Sequence, residues 1–324
     1  MSETLSLTGS DRLLIIAPHP DDESIAAGGL LQVAKAGGAA IRVIVLTDGD
    51  NNPWPQRWVE KRWRIDAAAR ARWGAQRRVE AEAALALLGI DRSEVRFLAL
   101  PDGGITDILM RNDATVMNAL RDEATTFAPT MLVAPALSDR HPDHSAAFIL
   151  ATEACAQAGR DFRRVLTFAV HGDAPQADGV VVELNEAQRH VKYEAIRAHA
   201  TQMRLSDKRF LKFAQARECY RWFDQPAKPD PSIPLTMSAQ SGSLTVRIDT
   251  TRSGPLGGRE LFVVAGTLRR YVTLAPDAAG VAREGSDIVV TVPVQGAFDA
   301  AYAKLARRRP GWWVFDRFGW QALS

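Results

Sequence analysis

Short apolar runs alternate with helix-period segments through the first two thirds of the chain. Six runs of aliphatic and β-branched residues have the length of buried strands, and they span residues 13–17, 41–46, 95–100, 131–134, 165–170 and 180–184. Four segments between them have helical periodicity and end near Gly or Pro, and they span residues 24–36, 76–88, 114–127 and 145–158. This alternation predicts an α/β fold, interpreted as a Rossmann-like three-layer sandwich around a mostly parallel sheet.

The pattern changes after residue 225. A proline-rich stretch, PAKPDPSIP at residues 226–234, is typical of a linker. Strand-like runs follow at residues 244–248, 261–265, 271–274 and 288–292, and a helix is predicted at 298–309 before a tail with three tryptophans. We therefore predict one domain at residues 1–225, a linker at 226–234 and a small β-rich appendage at 235–324.

A further helix is predicted at residues 186–203. Its periodicity places Lys192, Ile196, His199 and Met203 on one stripe. Because such a stripe is typical of a face packed on the core, we interpret His199 as a structural histidine rather than a catalytic one.

Polar residues concentrate directly after four of the predicted strands. The clusters read PHPDDE at residues 18–23, TDGDNN at 47–52, LPDGG at 100–104 and SDRHPDH at 138–144. In an open parallel sheet the ligand site lies off the carboxyl ends of the strands. We therefore expect these four loops to meet at one edge of the sheet.

Two of these clusters contain residue types that bind metal ions. His19 and Asp22 are three residues apart at a strand-to-helix turn, and HPDH contains two of the six histidines. Each motif alone also fits an ordinary turn or a helix cap. Two imidazoles and one carboxylate, however, leave a tetrahedral metal ion with the open position that a catalytic site needs.

Three polar residues remain for the chemistry once such a set is formed. Asp21 is a spare carboxylate that can accept the proton of a water molecule. His141 is a spare imidazole that can stabilise an oxyanion or protonate a leaving amine. Asp143 can orient a metal-binding histidine from behind.

Composition excludes several other classes of function. The 324 residues include 40 basic and 38 acidic ones, a formal charge of +2, so a nucleic-acid partner is not expected. Cys155 and Cys219 lie in segments that look helical and buried, which predicts two packed thiols in a reducing cytosol. The first apolar run is too short for a signal peptide or a membrane span, so we predict no transmembrane segment and a cytoplasmic location. A homo-oligomer is left open.

The motifs resemble those of the LmbE-like, or PIG-L, metal-dependent N-deacetylases. PHPDDE followed by HPDH is the specific signal. Weaker matches lie in RRVEAEAALALLGI at residues 77–90, in LPDGG and in KYEAIRAHATQM at residues 192–203. The resemblance covers roughly residues 10–205 and leaves the C-terminal third without a match.

The resemblance implies a set of roles for residues of this chain. His19, Asp22 and His144 would bind zinc or another divalent metal, with Asp21 as general base and His141 acting on the transition state. The sugar-binding positions of the family would correspond to Arg77 and Asp102. The family's loop glutamate has no exact counterpart, and Asp50 is the candidate to replace it. The resemblance therefore implies Arg77, Asp102 and Asp50 as the residues that bind substrate.

The segment at residues 53–73 departs from the family pattern. It contains Trp54, Trp58 and Trp63 with several arginines. These aromatic residues can stack on a sugar, cover the cleft as a lid or pack against the core.

The predicted function is hydrolysis of an N-acetyl group on a small-molecule amino sugar or glycoconjugate, with metal-bound water as nucleophile. Two alternatives remain open at this point: a metal amidase acting on another small amide, such as a mercapto conjugate, and a non-catalytic carbohydrate-binding protein on the same scaffold.

Overall fold

The computed structural model describes residues 3–160, 162, 164–172, 179–224, 230–296, 298, 300–307 and 314–323. The helices in this part of the chain are α1 (Asp22–Ala36), α2 (Pro53–Glu60), α3 (Ala67–Leu87), α4 (Ile105–Arg111), α5 (Ala114–Phe127), α6 (Pro142–Gln157), α7 (Glu186–Ala198), α8 (Ala200–Leu211) and α9 (Thr250–Ser253). The strands of the N-terminal region are β1 (Glu3–Thr4), β2 (Arg12–Ala17), β3 (Ala40–Thr47), β4 (Val95–Leu100), β5 (Met131–Pro135), β6 (Arg164–Phe168), β7 (Val180–Glu183) and β8 (Arg217–Asp224). The strands of the C-terminal region are β9 (Leu235–Gln240), β10 (Ser243–Asp249), β11 (Glu260–Ala265), β12 (Leu268–Thr273), β13 (Val281–Glu284), β14 (Asp287–Pro293), β15 (Ala301–Ala306) and β16 (Gln321–Ala322).

The N-terminal strands form one eight-stranded sheet in the order β1-β7-β8-β6-β5-β2-β3-β4. Strands β2, β3, β4, β5 and β6 pair in parallel, and β8 runs antiparallel to both of its neighbours. The predicted α/β class and the mostly parallel sheet are confirmed, and the Rossmann-like detail stays a prediction.

Helices cover both faces of this sheet. Along β2, Leu13 and Ile15 pack with α1, α3 and α7, whereas Leu14 and Ile16 pack with α4, α5 and α6. Successive side chains of a strand point to opposite faces, so a strand covered on both faces is apolar at every position. This is why the sequence shows continuous apolar runs there rather than an alternating pattern.

A buried carboxylate from the sheet anchors helix α1. Glu218 on β8 accepts hydrogen bonds from the backbone N–H groups of Gly29 and Leu30 at 2.6 and 2.8 Å, and from the Lys192 ammonium at 2.5 Å. A Cβ atom at position 29 would lie 2.8 Å from the Glu218 carboxyl carbon. Glycine at this position therefore permits the close approach that holds α1, and the polar turn at its start, against the sheet.

The C-terminal region contains two four-stranded sheets, β13-β14-β10-β9 and β12-β11-β15-β16. They share one apolar core, and the second sheet also packs on the α/β region through Phe262, Val264 and Tyr302. The predicted β-rich character is thus confirmed. The predicted domain boundaries stay a prediction, and residues 226–229 of the predicted linker lie outside the described residues.

Several predicted elements are wrong. The helix predicted at 298–309 is strand β15, whose six residues are all buried; burial on both faces removed the period-two pattern that marks a strand. The helix predicted at 186–203 is two helices that meet at His199. The long loop at 53–73 contains α2 and the start of α3, which Asp66 caps by accepting from Ala69 N–H at 2.8 Å.

The prediction for the cysteines is correct for only one of them. Cys155 is buried in α6, but Cys219 is exposed on strand β8. Strand β8 alternates buried and exposed residues, which places Cys219 on the open face between buried Glu218 and Tyr220. Among the described residues, no helix is both long and apolar enough to cross a membrane.

Candidate metal centre

The four polar clusters predicted to meet do lie together at the carboxyl ends of β2, β3, β4 and β5. His19 Nδ1 is 3.3 Å from His144 Nε2, and His19 Nε2 is 3.2 Å from Asp102 Oδ1. The backbone N–H of Asn51 donates to Asp102 Oδ2 at 2.8 Å, which joins the loop after β3 to the others. The prediction that these loops meet at one edge of the sheet is therefore confirmed.

The turn after β2 has an uncommon backbone conformation. Asp21 has φ 143°, a positive value that non-glycine residues rarely adopt. Helix α1 begins at the next residue, Asp22, whose N–H donates to the His19 carbonyl at 3.2 Å. This sharp turn places His19, Asp21 and Asp22 close together at the start of the helix, and such strain is typical of functional sites.

His19, Asp22 and His144 form a triangle of possible ligand atoms. Asp22 Oδ2 is 3.3 Å from His19 Nδ1 and 3.2 Å from His144 Nε2, and the two histidine nitrogens are 3.3 Å apart. A tetrahedral zinc ion with bonds of about 2.0–2.1 Å separates its ligand atoms by about 3.3–3.4 Å. The three side chains are buried and their spacing matches this value, so the donor set fits a divalent cation.

The electrostatics of the triangle also favour positive charge. Burial would lower the pKa of His144, but the carboxylates of Asp22 and Asp139 outweigh it and raise that pKa to about 10. Burial opposes the charge of His19 too, and Asp102, Asp143 and Asp22 raise its pKa well above the ordinary value. Carboxylates thus surround the two imidazoles, and a bound cation would satisfy the same negative field.

Asp139 contacts His144 on the side of the ring opposite the triangle. Its Oδ2 lies 3.2 Å from His144 Nδ1 and accepts hydrogen bonds from the N–H groups of Val170 and His171 at 3.0 and 3.1 Å. Its Oδ1 accepts from His141 N–H at 2.9 Å. A proton on His144 Nδ1 leaves the Nε2 lone pair directed toward the triangle.

Asp143 and Asp102 lie near Nε2 of His19, on the side of the ring opposite the triangle. Asp143 Oδ2 lies 3.4 Å from His19 Nε2, and its carboxylate accepts from the N–H groups of Gly103 and Ile105 at 2.7 and 3.0 Å. Burial would raise the pKa of Asp102, but contact with His19 lowers it to about 2. Both aspartates are therefore placed to hold the imidazole with Nδ1 toward Asp22 and His144.

Asp21 lies beside the triangle and is held by Arg77. Arg77 Nη2 is 3.0 Å from Asp21 Oδ2, and the guanidinium also donates to the carbonyls of Pro20 and Gly49 at 2.7 and 2.6 Å. Burial raises the pKa of Asp21 to about 6, more than the Arg77 charge lowers it. A carboxylate in this range can accept a proton near neutral pH.

His141 caps helix α6 next to the triangle. Its Nδ1 accepts from the N–H of Asp143 at 3.2 Å, so in the neutral ring the proton resides on Nε2. Its ring centre is 4.8 Å from that of His19 and 4.9 Å from that of His144. Ring nitrogens of these three histidines lie within 4.8 Å of one another, so His141 is also a candidate ligand. Burial and the neighbouring imidazoles lower the pKa of His141 well below the ordinary value.

The three residues predicted to bind substrate differ in how accessible their side chains are. Arg77 and Asp102 are largely buried, and the Arg77 Nη atoms and the Asp102 carboxylate contact protein atoms. Asp50 is partly buried, and its pKa is raised by burial and by the Asp102 charge, so it lies near the site. Substrate binding by all three stays a prediction.

Buried His199 at the α7–α8 junction supports the motif. His199 Nε2 lies 3.0 Å from Ser24 Oγ and 3.3 Å from Glu23 Oε1, and Glu23 accepts from the N–H of Asp21 at 3.0 Å. The third acid of PHPDDE therefore braces the turn, with His199 as its partner. This contact agrees with the interpretation of His199 as structural.

Sequence reasoning missed three residues of the site. Asp139 lies within SDRHPDH, and His171 follows β6 directly, so the strand-end criterion applied to that strand would have found it. Phe315 had no such signal. Its ring centre lies 4.9 Å from that of His171 and 5.8 Å from that of His141. The C-terminal region thus contributes an aromatic wall to the site.

Comparisons with known proteins agree with this geometry. Residues 14–155 match the family model of PIG-L, described as GlcNAc-PI de-N-acetylase. Two curated relatives from Mycobacterium sp., strains KMS and JLS, are each 28% identical over 234 residues, which is 59% of this chain and 74% of the relative. Both are named 1D-myo-inositol 2-acetamido-2-deoxy-alpha-D-glucopyranoside deacetylase.

A solved structure shares the fold. A triple mutant of a deacetylase in the teicoplanin biosynthetic pathway aligns with a TM-score of 0.51 and 24% identity, covering 65% of this chain and 96% of that one. The family match spans the two specific motifs, PHPDDE and HPDH, and all three proposed ligands. On this evidence, residues 14–155 are similar to the PIG-L, or LmbE-like, family, and the curated relatives of the chain are named deacetylases.

Proposed function

We propose that this protein is a metal-dependent N-deacetylase that removes the acetyl group from an amino sugar or a sugar conjugate. The family match and the deacetylase names of the relatives support the reaction class. The observation that carries the proposal is the triangle of His19, Asp22 and His144, whose ligand atoms lie 3.2–3.3 Å apart. Polar groups that hydrolysis requires surround this triangle.

The proposed metal ligands are His19 Nδ1, Asp22 Oδ2 and His144 Nε2, with zinc as the first candidate because imidazole and carboxylate suit it. When bound, such a cation supplies a Lewis acid for the acetyl carbonyl and lowers the pKa of a water molecule. Asp139, Asp102 and Asp143 keep the two imidazoles in the orientation that binding requires.

Asp21 is the proposed general base. It accepts a proton from the attacking water as the new C–O bond forms at the acetyl carbon. The resulting carboxylic acid can then donate that proton to the amine nitrogen as the C–N bond breaks, which releases acetate and the free amine. Arg77 supports this role because it fixes the position of Asp21 through the bonds to Pro20 and Gly49.

His141 is proposed to stabilise the tetrahedral oxyanion. Because its Nδ1 accepts a backbone N–H, its Nε2 is the donor that remains for the substrate. A positioned donor of this kind stabilises charge that develops in the transition state. Of the residues proposed for sugar binding, Asp50 is the most accessible, while Arg77 and Asp102 act on the substrate only if they release protein contacts.

The test measures acetate release from a panel of N-acetylglucosamine conjugates with the purified full chain. Chelator treatment should abolish release, and Zn²⁺ or another divalent ion should restore it. Asp21→Asn should keep the bound metal and lose about 10²–10⁴-fold in kcat. Asp122→Asn, an exposed aspartate on α5, is the matched control and should retain activity.

Two results would contradict the proposal. Full activity of Asp21→Asn would remove the assigned base, and full activity of the metal-free chain would remove the metal. Cleavage of small amides without a sugar, in preference to N-acetyl sugars, would instead favour the metal amidase alternative.

A further inference from the structure

We propose that an exposed surface of tryptophan and basic residues binds the surface of an anionic lipid bilayer. This basic tryptophan surface consists of residues on α2, on the α2–α3 connection and at the start of α3. Its members are Trp54, Arg57, Trp58, Lys61, Arg62, Trp63, Arg64, Arg70 and Arg72. The inference goes beyond the proposed function and does not depend on it.

The tryptophans of this surface are unusually exposed. Trp54, Trp58 and Trp63 are 58%, 76% and 80% exposed, although a tryptophan side chain offers a large apolar area for burial. Scattered apolar residues on a surface are ordinary, but a cluster of large ones marks an interaction site. Of the alternatives left open for these three side chains, packing against the core is therefore wrong.

Contacts show that the tryptophans form one surface. Trp54 and Trp58 are four residues apart on α2 and therefore share a face. The Arg57 guanidinium lies 4.9 Å from the Trp54 ring centre and 5.2 Å from that of Trp63, and so joins the helix to the connection that follows it. These cation–π contacts hold the rings in place without burying them.

The outward direction of these rings follows from the opposite side of α2. Pro55 and Gln56 are buried, and the Gln56 side-chain amide donates to the Ala69 carbonyl at 2.6 Å and to Glu60 at 2.9 Å. The helix is therefore held by its Pro55 and Gln56 side, which is bonded to α3 through Ala69, and it also packs against α8. Its tryptophan face therefore points toward solvent because the opposite face of the helix is packed.

The charge of the surface selects an anionic partner. Between residues 54 and 72 there are six basic residues and two acidic ones. Glu60 is shared between Arg62 and Arg72 at 3.9 and 3.5 Å, and Asp66 caps α3. Within the described part of the chain, Lys61 and Arg64 have no ion-pair partner. Uncompensated cations and exposed indoles are therefore concentrated in one place.

A lipid bilayer fits this combination better than a soluble glycan does. Tryptophan is favoured at the boundary between headgroups and acyl chains, and basic residues are attracted to anionic headgroups. Sugar recognition usually buries the ligand in a cleft with fixed hydrogen-bonding groups. Here the rings stand exposed, and the neighbouring polar groups are the positively charged ends of lysine and arginine side chains.

The surface also adjoins the metal centre along the chain. Asn51 precedes α2 by two residues and donates to Asp102 from its backbone N–H at 2.8 Å and from its side chain at 2.9 Å. Asp50 lies close enough to Arg70 for the arginine to lower its pKa against the effect of burial. A bilayer bound to this surface would therefore lie beside the loop that enters the site.

The experiment is co-sedimentation of the full chain with vesicles of phosphatidylcholine, with or without phosphatidylglycerol, at low and high salt. We expect binding only when phosphatidylglycerol is present, with loss at high salt because counterions screen the attraction. The double variant Lys61→Gln with Arg64→Gln should weaken binding about 25-fold, since each basic residue near an anionic surface contributes roughly fivefold.

A second double variant, Trp58→Ala with Trp63→Ala, removes the apolar contribution and should also lose binding. Because all four side chains are exposed, the variants should fold, which circular dichroism checks. Matched controls outside the surface are Leu87→Ala, at an exposed position of α3, and Arg217→Gln on β8; both should bind like the unmodified chain.

The proposal is wrong if the chain ignores anionic vesicles at low salt, or if both double variants bind as strongly as the unmodified chain. It is also wrong if the chain does not bind vesicles and the same surface instead binds a second copy of the chain or a glycan. Light scattering that detects a dimer abolished by the tryptophan variant would identify a second copy, and binding of chitin oligosaccharides abolished by it would identify a glycan.

Discussion

Substitution of Asp139 by asparagine tests whether the site binds metal through an oriented His144. Asp139 Oδ2 lies 3.2 Å from His144 Nδ1, and both side chains are fully buried. Asparagine keeps the shape of the side chain but removes the charge that raises the basicity of the imidazole. Loss of such a supporting carboxylate typically costs 10–100-fold in metal affinity, or about 1.4–2.7 kcal/mol.

The measurement is competition for Zn²⁺ between the metal-free chain and a fluorescent chelator. Asp122→Asn is the control, because Asp122 is exposed on α5 and 68% of its side chain is accessible. Asp139 also accepts hydrogen bonds from the backbone N–H groups of His141, Val170 and His171. The variant should therefore lose some stability as well.

Urea unfolding of both metal-free proteins separates the two effects. If Asp139→Asn unfolds more easily but binds zinc with unchanged affinity, then Asp139 only supports the loop, and the argument that it prepares His144 for metal is refuted.

Three further predictions concern the scaffold and the thiols. Glu218→Gln should destabilise the protein by about 3–5 kcal/mol in urea unfolding, because it leaves a buried lysine without its counter-charge, whereas Glu183→Gln, in an exposed ion pair, should cost less than about 1 kcal/mol. Gly29→Ala should destabilise by about 1–3 kcal/mol in the same assay, since the new Cβ would lie 2.8 Å from the Glu218 carboxyl carbon; unchanged stability would disprove the tight packing of α1 on β8. Burial raises the pKa of the Cys155 thiol to about 12, so at pH 8 it stays protonated and iodoacetamide should modify exposed Cys219 alone until the chain is unfolded, which mass spectrometry can count.

The location of the site was predictable because it depends on short-range features. His19 and Asp22 share one turn, and the ends of parallel strands converge in any sheet of this type. The contact between His19 and His144, 125 residues apart in the chain, follows from these two facts together. The parts that could not be predicted depend on what packs against each segment.

Strand β15 and the α2 surface illustrate that limit. β15 is covered on both faces by the second core and the α/β region, so its sequence lost the alternation that identifies a strand. Trp58 has a large apolar side chain of the kind found in protein cores. It is exposed because the opposite side of α2 is held against α3 by Gln56. In both segments, the neighbouring elements determine the environment.

The sequence by itself determined the α/β class, the edge of the sheet that carries the site, and His19, Asp22 and His144 as residues that meet there. Local periodicity and turn chemistry predict the strands and the two motifs, and the convergence of parallel strand ends at one edge of the sheet brings the motifs together. Only the tertiary structure decided that Asp139 orients His144, that Phe315 of the C-terminal region borders the same site, and that the tryptophans of α2 face outward. These features arise from contacts between segments far apart in the chain, and the packing of the whole molecule selects them.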